Sequence, residues 1–186
     1  MLKKTDEQLM FDIQQGNYES FTVLFHRYEK RLSNFAYTFT GNKNLAQDIV
    51  QDVFIRVWEH AGKFRIEAKF SSWVYRITTN LCLNAKKKQS RLTSLNVKQE
   101  EGFQLVSKEK QPSEHLINTE QGNCLMEALS QITKTQRMAL LLAKEQGKSY
   151  AEIAEIMGIS LSSVESLIYR ARKKLLILLK GKIQGL

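Results

Sequence analysis

The 186-residue chain has one proline, nine glycines, two cysteines and three histidines, and each scarcity removes a class of protein. With Pro112 as its only proline, the chain can run in helices almost without interruption. Strand-like alternation of apolar and polar residues is hard to find. Cys82 and Cys124 lie far apart, with no CxxC pair and no Cys/His cluster, so neither a disulfide framework nor a zinc site is indicated. Free thiols in a reducing compartment are expected. His26, His60 and His115 are scattered. No stretch approaches the ~20 apolar residues that span a bilayer. The opening MLKKTDEQLM carries acids and no apolar run, unlike a secretory leader. A cytoplasmic protein is expected. There is no G-x-x-x-x-G-K-[ST] run, no carboxylate or histidine cluster in metal-ligand register and no nucleophile beside a base. We therefore expect no enzyme: no catalytic residue, metal, cofactor or small-molecule substrate.

Positive charge is in excess. Lys and Arg number 28 against 19 Asp and Glu, a formal net charge of +9. Such an excess predicts an anionic partner, nucleic acid ahead of a membrane surface.

Apolar residues recur at three- and four-residue spacing, which predicts helices over about 6–15, 19–38, 44–60, 71–89, 120–130, 135–146, 150–157 and 161–180. Thr5 with Gln8, and Asn44 with Gln47, stand in capping register. The second helix carries a core stripe of Phe21, Leu24, Phe25, Tyr28, Leu32 and Phe35. The third buries Leu45, Ile49, Val53 and Val57, with Trp58, and leaves Asp48, Gln51, Asp52 and Ile55 on its other side. Between about Ser90 and Asn118 the pattern stops. That stretch is polar and too long for a loop inside a compact domain. The fold class expected is all-α: two small helical domains, 1–91 and 120–186, joined by a polar linker, 92–119.

The sharpest local signal is SYAEIAEIMGISLSSVESLIYRARKKL, residues 149–175. A helix-turn-helix needs a small residue where its helices touch and one tolerant of positive φ in the turn. Ala154 and Gly158 stand at those places, and Ser160 is placed to cap the second helix. Val164, Leu167, Ile168, Ala171 and Leu175 would face inward. Ser162, Ser163, Glu165, Ser166, Tyr169, Arg170 and Lys173 would face out, as a recognition helix presents them to the major groove.

A second basic stretch, Arg76 to Arg91, holds five Lys or Arg and no acid, just after Phe64, Phe70, Trp73 and Tyr75. Cations beside rings suit single-stranded DNA, the cations following phosphates and the rings stacking on bases. Composition alone leaves a second reading open, with Trp73 and Ile77 as core and the lysines as a solvated helix end.

With these elements in view, the sequence resembles the bacterial sigma-seventy family, and within it the small extracytoplasmic-function type, which has only the second and fourth conserved domains. LAQDIVQDVFIRVWEH looks like the conserved helix of the second domain. FSSWVYRITTNLCLNAKKK looks like its strand-melting stretch, and ITKTQRMALLLAKEQGKSYAEIAEIMGIS with VESLIYRARKKL looks like the fourth domain. The resemblance implies that Asp48, Gln51, Asp52 and Phe54 dock on the clamp helices of the β′ subunit of RNA polymerase core. It implies that the Gly62–Lys69 loop, with Lys63 and Lys69, holds a flipped base of the minus-ten element. Trp73, Tyr75, Arg76, Asn80, Asn84, Lys87 and Lys88 would open and read that element, and the recognition helix would read the minus-thirty-five element. The linker would run towards the polymerase active site. The partners implied are core polymerase (β′ clamp helices and β flap), promoter DNA and a cognate anti-sigma factor. Asn84 replaces a common acid of the family, Thr133 a common proline, and Glu165 and Leu167 frequent basic residues. These departures leave the promoter sequence open.

The alternative is a dimeric helix-turn-helix regulator that binds duplex DNA without replacing sigma. It shares the C-terminal half but does not account for the acidic face or the aromatic and basic stretch. Replacing Lys86, Lys87 and Lys88 by alanine is expected to weaken promoter binding and to flatten its dependence on salt, by about one unit of log–log slope for each phosphate no longer neutralised. An unaltered slope, measured by fluorescence anisotropy across a salt series, would place that run in solvent.

Overall fold

The computed structural model describes residues 4–65, 67–95, 120–145 and 147–183, with side chains described except at 86–95, 120–121 and 181–183. They form eight α-helices, and there is no strand among the described residues. The N-terminal unit holds α1 (Asp6–Gln14), α2 (Tyr18–Thr40), α3 (Lys43–Glu59) and α4 (Phe70–Leu95). The C-terminal unit holds α5 (Glu120–Ser130), α6 (Lys134–Lys144), α7 (Tyr150–Met157) and α8 (Leu161–Ile183).

Local chemistry starts and stops these helices. Thr5 and Gln8 form the expected capping box on α1. Asn17 caps α2 by accepting from the Ser20 N–H at 2.8 Å. Helix α2 buries Leu24, Tyr28, Leu32, Phe35, Ala36 and Phe39 and ends on Gly41, whose φ of 74° is left-handed. The cap of α3 is Asn42, which accepts from the Leu45 N–H at 3.0 Å. It is not the expected Asn44: the turn needs only Gly41 and Asn42, so the helix begins directly after them. Trp58 also departs from expectation. Val57 takes the core position, and one residue on, about 100° round the helix, Trp58 falls on the rim, 42% exposed, with its ring edge-on to Phe21 and Tyr18. Helix α4 runs past its expected end near 89 to Leu95.

Helix α4 is tied at its start to α1. Its first N–H, on Phe70, donates to the Glu7 carboxylate at 3.1 Å, a negative group at a helix N-terminus. Gln14 donates to the carbonyls of Ala61 (3.0 Å) and Phe64 (2.9 Å), which pins the 3-10 turn Ala61–Lys63 and the loop that follows.

In the C-terminal unit Thr133, with Gln136, forms a capping box on α6, which explains how the chain starts that helix without proline. Ser149 and Glu152 do the same for α7. Gly158 closes α7 at φ 66°, and Ser160 accepts from the Ser163 N–H at 3.2 Å at the head of α8. The helix-turn-helix is α7 and α8. Ala128, Leu129, Ile132, Ala171 and Leu175 form a small core of their own between α5 and α8.

The two units pack together, α6 on α2 and α7 on α4. Met138, Leu142 and Ile153 join the core built by α2, α3 and α4. Each is fully buried, and such side chains typically contribute about 1.5–3 kcal/mol apiece. The buried Arg137 of α6 donates to the carbonyl of Phe39, in the last turn of α2, at 2.9 Å.

Gly158→Ala is expected to destabilise the chain by about 1 kcal/mol, the backbone cost of a left-handed residue with a Cβ. Nothing lies within 4 Å of that Cβ, so no clash adds to it. Gly158→Asn should cost less, since asparagine tolerates this conformation. Urea unfolding midpoints check both, and an Ala variant as stable as wild type refutes the assignment.

Candidate nucleic-acid interface and docking face

Three surfaces carry the candidate residues. The first lies on α3, where Asp48, Gln51 and Asp52 are exposed together on one face, next to Ile55. Phe54, expected on this face from the resemblance, is 3% exposed beneath Phe21 and Phe25, its ring 4.8 Å from that of Phe25. It falls in the inner stripe with Val50 and Val57, so it props the face from below.

The second surface is the outer side of α4 and the loop before it. Arg76, Asn80 and Asn84 repeat every four residues and are all exposed, giving one cationic and amide stripe. Lys63 and Lys69 are exposed in the adjoining turn and loop. Trp73 is half-buried, with its ring 5.2 Å from Phe64 and 6.1 Å from Phe70. The side chains of Lys87 and Lys88, on the same helix, lie outside the described residues. Tyr75 is fully buried. It faces the gap between α2 and the end of α6 rather than solvent, edge-on to Phe35 at 5.3 Å. Consecutive residues on a helix point about 100° apart, so Tyr75 and Arg76 cannot share the outer stripe.

The third surface is α8. Ser162, Ser163, Glu165, Ser166, Tyr169, Arg170 and Lys173 are all exposed, while Val164, Ile168, Ala171 and Leu175 are buried. Leu167 is half-buried. The recognition face is thus clear of the N-terminal unit.

A polar seam between the units was not foreseen from sequence. Tyr75 donates to Glu145 at 2.5 Å, and Arg31 donates to the same carboxylate oxygen at 3.2 Å. Lys148 lies 4.3 Å from the centre of the Tyr75 ring. Lys69 meets Glu152 at 2.7 Å. Burial raises the Tyr75 hydroxyl above its ordinary range, and the bond to Glu145 adds to this. Burial lowers Lys148. Burial also pushes the Cys82 thiol up to about 12, which leaves it unreactive. The capping-box spacing of Ser149 and Glu152 is readable locally, but a partner 83 residues away is not. No three His, Cys, Asp or Glu gather as metal ligands among the described residues, and no described helix is long and apolar enough to cross a membrane.

An exposed polar face on α8, an outer face of α4 with Arg76, Asn80 and Asn84, and an acidic face on α3, all on one chain, fit a helical DNA-binding protein of transcription. The family comparisons agree. The family model for sigma-70 region 2 matches residues 24–92, and that for sigma-70 region 4 matches residues 122–175. The extracytoplasmic-function RNA polymerase sigma factor SigW of Bacillus subtilis is 29% identical over 94% of this chain and 95% of its own length. The RNA polymerase sigma-H factor of Pseudomonas aeruginosa is 27% identical over 93% of both. The sigma factor RpoE of Bartonella quintana, solved with the anti-sigma factor NepR, superposes with a TM-score of 0.71 at 25% identity, over 87% of this chain and 98% of that one. The chain belongs to the sigma-70 family, in its extracytoplasmic-function group.

The Lys69 hydrogen bond, with support from the Ser149 backbone, lowers Glu152 from an ordinary 4.5 to about 2. A depressed carboxylate stabilises the fold above its unfolded value and loses that effect as pH falls through the folded one. The contribution is therefore expected to be complete above pH 4.5 and to fade towards about 2. Glu152→Gln should flatten stability over that interval in acid-titrated urea unfolding; a slope unchanged from wild type would deny the pairing.

Proposed function

We propose that this chain initiates transcription as an extracytoplasmic-function sigma factor, binding RNA polymerase core and directing it to specific promoters. One observation carries the reading: the sigma region 2 and region 4 units occur in order on one chain, each with its own exposed candidate face. Asp48, Gln51 and Asp52 dock on the clamp helices of β′, with Phe54 as their support. The Gly62–Lys69 loop takes a flipped base of the minus-ten element, and Trp73, Arg76, Asn80, Asn84, Lys87 and Lys88 open and hold the strand, with Tyr75 buried behind them. Unstacking costs a few kcal/mol per base, and stacking on aromatic rings returns about 1–3 kcal/mol. Helix α8 reads the minus-thirty-five element in the major groove, its N-terminal serines placed against phosphates and base edges. Between the units the chain passes towards the polymerase active site, and the C-terminal unit meets the β flap. The protein performs no chemistry of its own and works in the cytoplasm beside polymerase. A cognate anti-sigma factor holds it inactive, in keeping with the anti-sigma partner in the Bartonella complex.

Reversing the docking face tests the reading. Asp48→Arg with Asp52→Arg is expected to reduce core binding at least 100-fold, since like charges across an interface cost several kcal/mol. Minus-thirty-five duplex binding should be unaffected. Surface plasmon resonance with purified core reads the first and gel shift the second. Unchanged core affinity would remove α3 from the interface.

A further inference from the structure

We propose that α1 is a strut that shapes the base-holding loop, with Gln14 and Glu7 as positioning residues for base selection in the minus-ten element. The inference rests on the assignment of the Gly62–Lys69 loop to a flipped base. Helix α1 spans Asp6–Gln14, whereas the sigma-70 region 2 match begins at residue 24, so that match assigns α1 nothing. The Gln14 side-chain nitrogen carries two N–H groups. Both go to one turn, to the carbonyls of Ala61 at 3.0 Å and Phe64 at 2.9 Å. Those residues open and close the 3-10 turn, so Gly62 and Lys63 are held at both ends. Beyond the loop, Glu7 accepts from the Phe70 N–H at 3.1 Å. Glu7 and Gln14 are seven positions apart, two helical turns, and therefore share one face. Met10, fully buried, lies between them on that face. The loop is thus held on either side by one rigid element.

The rest of α1 is fixed to the N-terminal unit. Leu9, Met10 and Ile13 enter the core. Asp6 accepts from Arg27 and Tyr28, and Asp12 accepts from Ser20. The loop's own backbone bonds are local: Lys63 donates to His60, Phe64 to Ala61 and Ala68 to Arg65. Bonds of that reach close turns without aiming them at a partner. The buried Phe64 ring, against Phe70 and Trp73, gives the loop a floor. Gln14 sets how the backbone sits on that floor. Without it the two carbonyls turn to water, and the loop must be ordered at the expense of base binding. A loop of several shapes then discriminates less among bases.

The test uses the full chain bound to core polymerase and a pool of randomised single-stranded DNA, with the bound fraction sequenced. Gln14→Ala is expected to reduce base preference at one position roughly three- to tenfold, the loss of two neutral hydrogen bonds, and to leave the other positions as they are. Gln14→Glu keeps the shape without the donors and should do at least as much. Glu7→Ala should act at the same position, and Glu7→Gln should restore preference there, since its amide oxygen still accepts from Phe70. Gln15→Ala, at an exposed neighbour on α1, should change no position. A merely structural role would weaken all positions alike. The proposal is overturned if Gln14→Ala weakens every position equally or none, or if Glu7→Gln is as impaired as Glu7→Ala. Replacing Lys63, Glu67 and Lys69 together by alanine separates the two readings. If that loop variant flattens no single position, the loop holds no base and the site assignment has failed with the inference. If it flattens a position that Gln14→Ala leaves intact, the positioning role alone has failed.

Discussion

A guanidinium taken out of water at the end of another helix joins the two halves of this molecule. Arg137 belongs to α6 and is 6% exposed, yet its hydrogen bond goes to the Phe39 carbonyl of α2. The last carbonyls of a helix lack partners within it and carry the negative end of its dipole. A cation placed there answers both needs. The Phe39 ring lies 5.9 Å from the guanidinium carbon and adds a cation–π contact. Burial still lowers the Arg137 pKa, and its Nε has no hydrogen-bond partner. Burying an unpaired charge is expensive, so this contact depends on α2 ending where it does. That end is set by Gly41, whose left-handed φ stops the helix. Gly41 thus fixes where the carbonyl that Arg137 meets is presented.

From that placement the rest of the architecture follows. With α6 held on α2 and α7 on α4, the exposed residues of α4 among those whose side chains are described are Arg76, Asn80 and Asn84. The same packing turns Tyr75 into part of an interior seam and leaves α8 pointing away with its polar residues bare. Aromatic residues divide the labour similarly. Phe54 and Phe64 are buried supports, whereas Trp58 and Tyr18 remain on the rim of α3 and α2. A face that must bind a partner needs rigid backing, and rings stacked edge to face supply it.

Much of the candidate site was legible because it depends on periodicities a few residues long. The exposed triplet Asp48, Gln51 and Asp52 and the outward residues of α8 follow from helical spacing once the apolar stripe is known. Errors arose where two local solutions compete. Asn42 and Asn44 are both capable caps, and only the length of the turn chooses between them. Trp58 and Val57 both suit a core, and one residue of rotation decides. Tyr75 reads equally well as a stacking platform or as an interior ring, and nothing within a few residues distinguishes the two.

By itself, the sequence determined the helices, the helix-turn-helix with its Gly158 turn and Ser160 cap, the acidic face and the excess of cations. Each is a matter of residue type against a short helical repeat, with energies set by neighbours three or four positions apart. Only the tertiary structure decided that Glu145 reaches Tyr75 and Arg31, that Glu152 reaches Lys69, and that Arg137 ends another helix. Those pairs lie 70 to 114 residues apart. No local pattern encodes them, because they form only after two separately folded surfaces meet and exclude water between them.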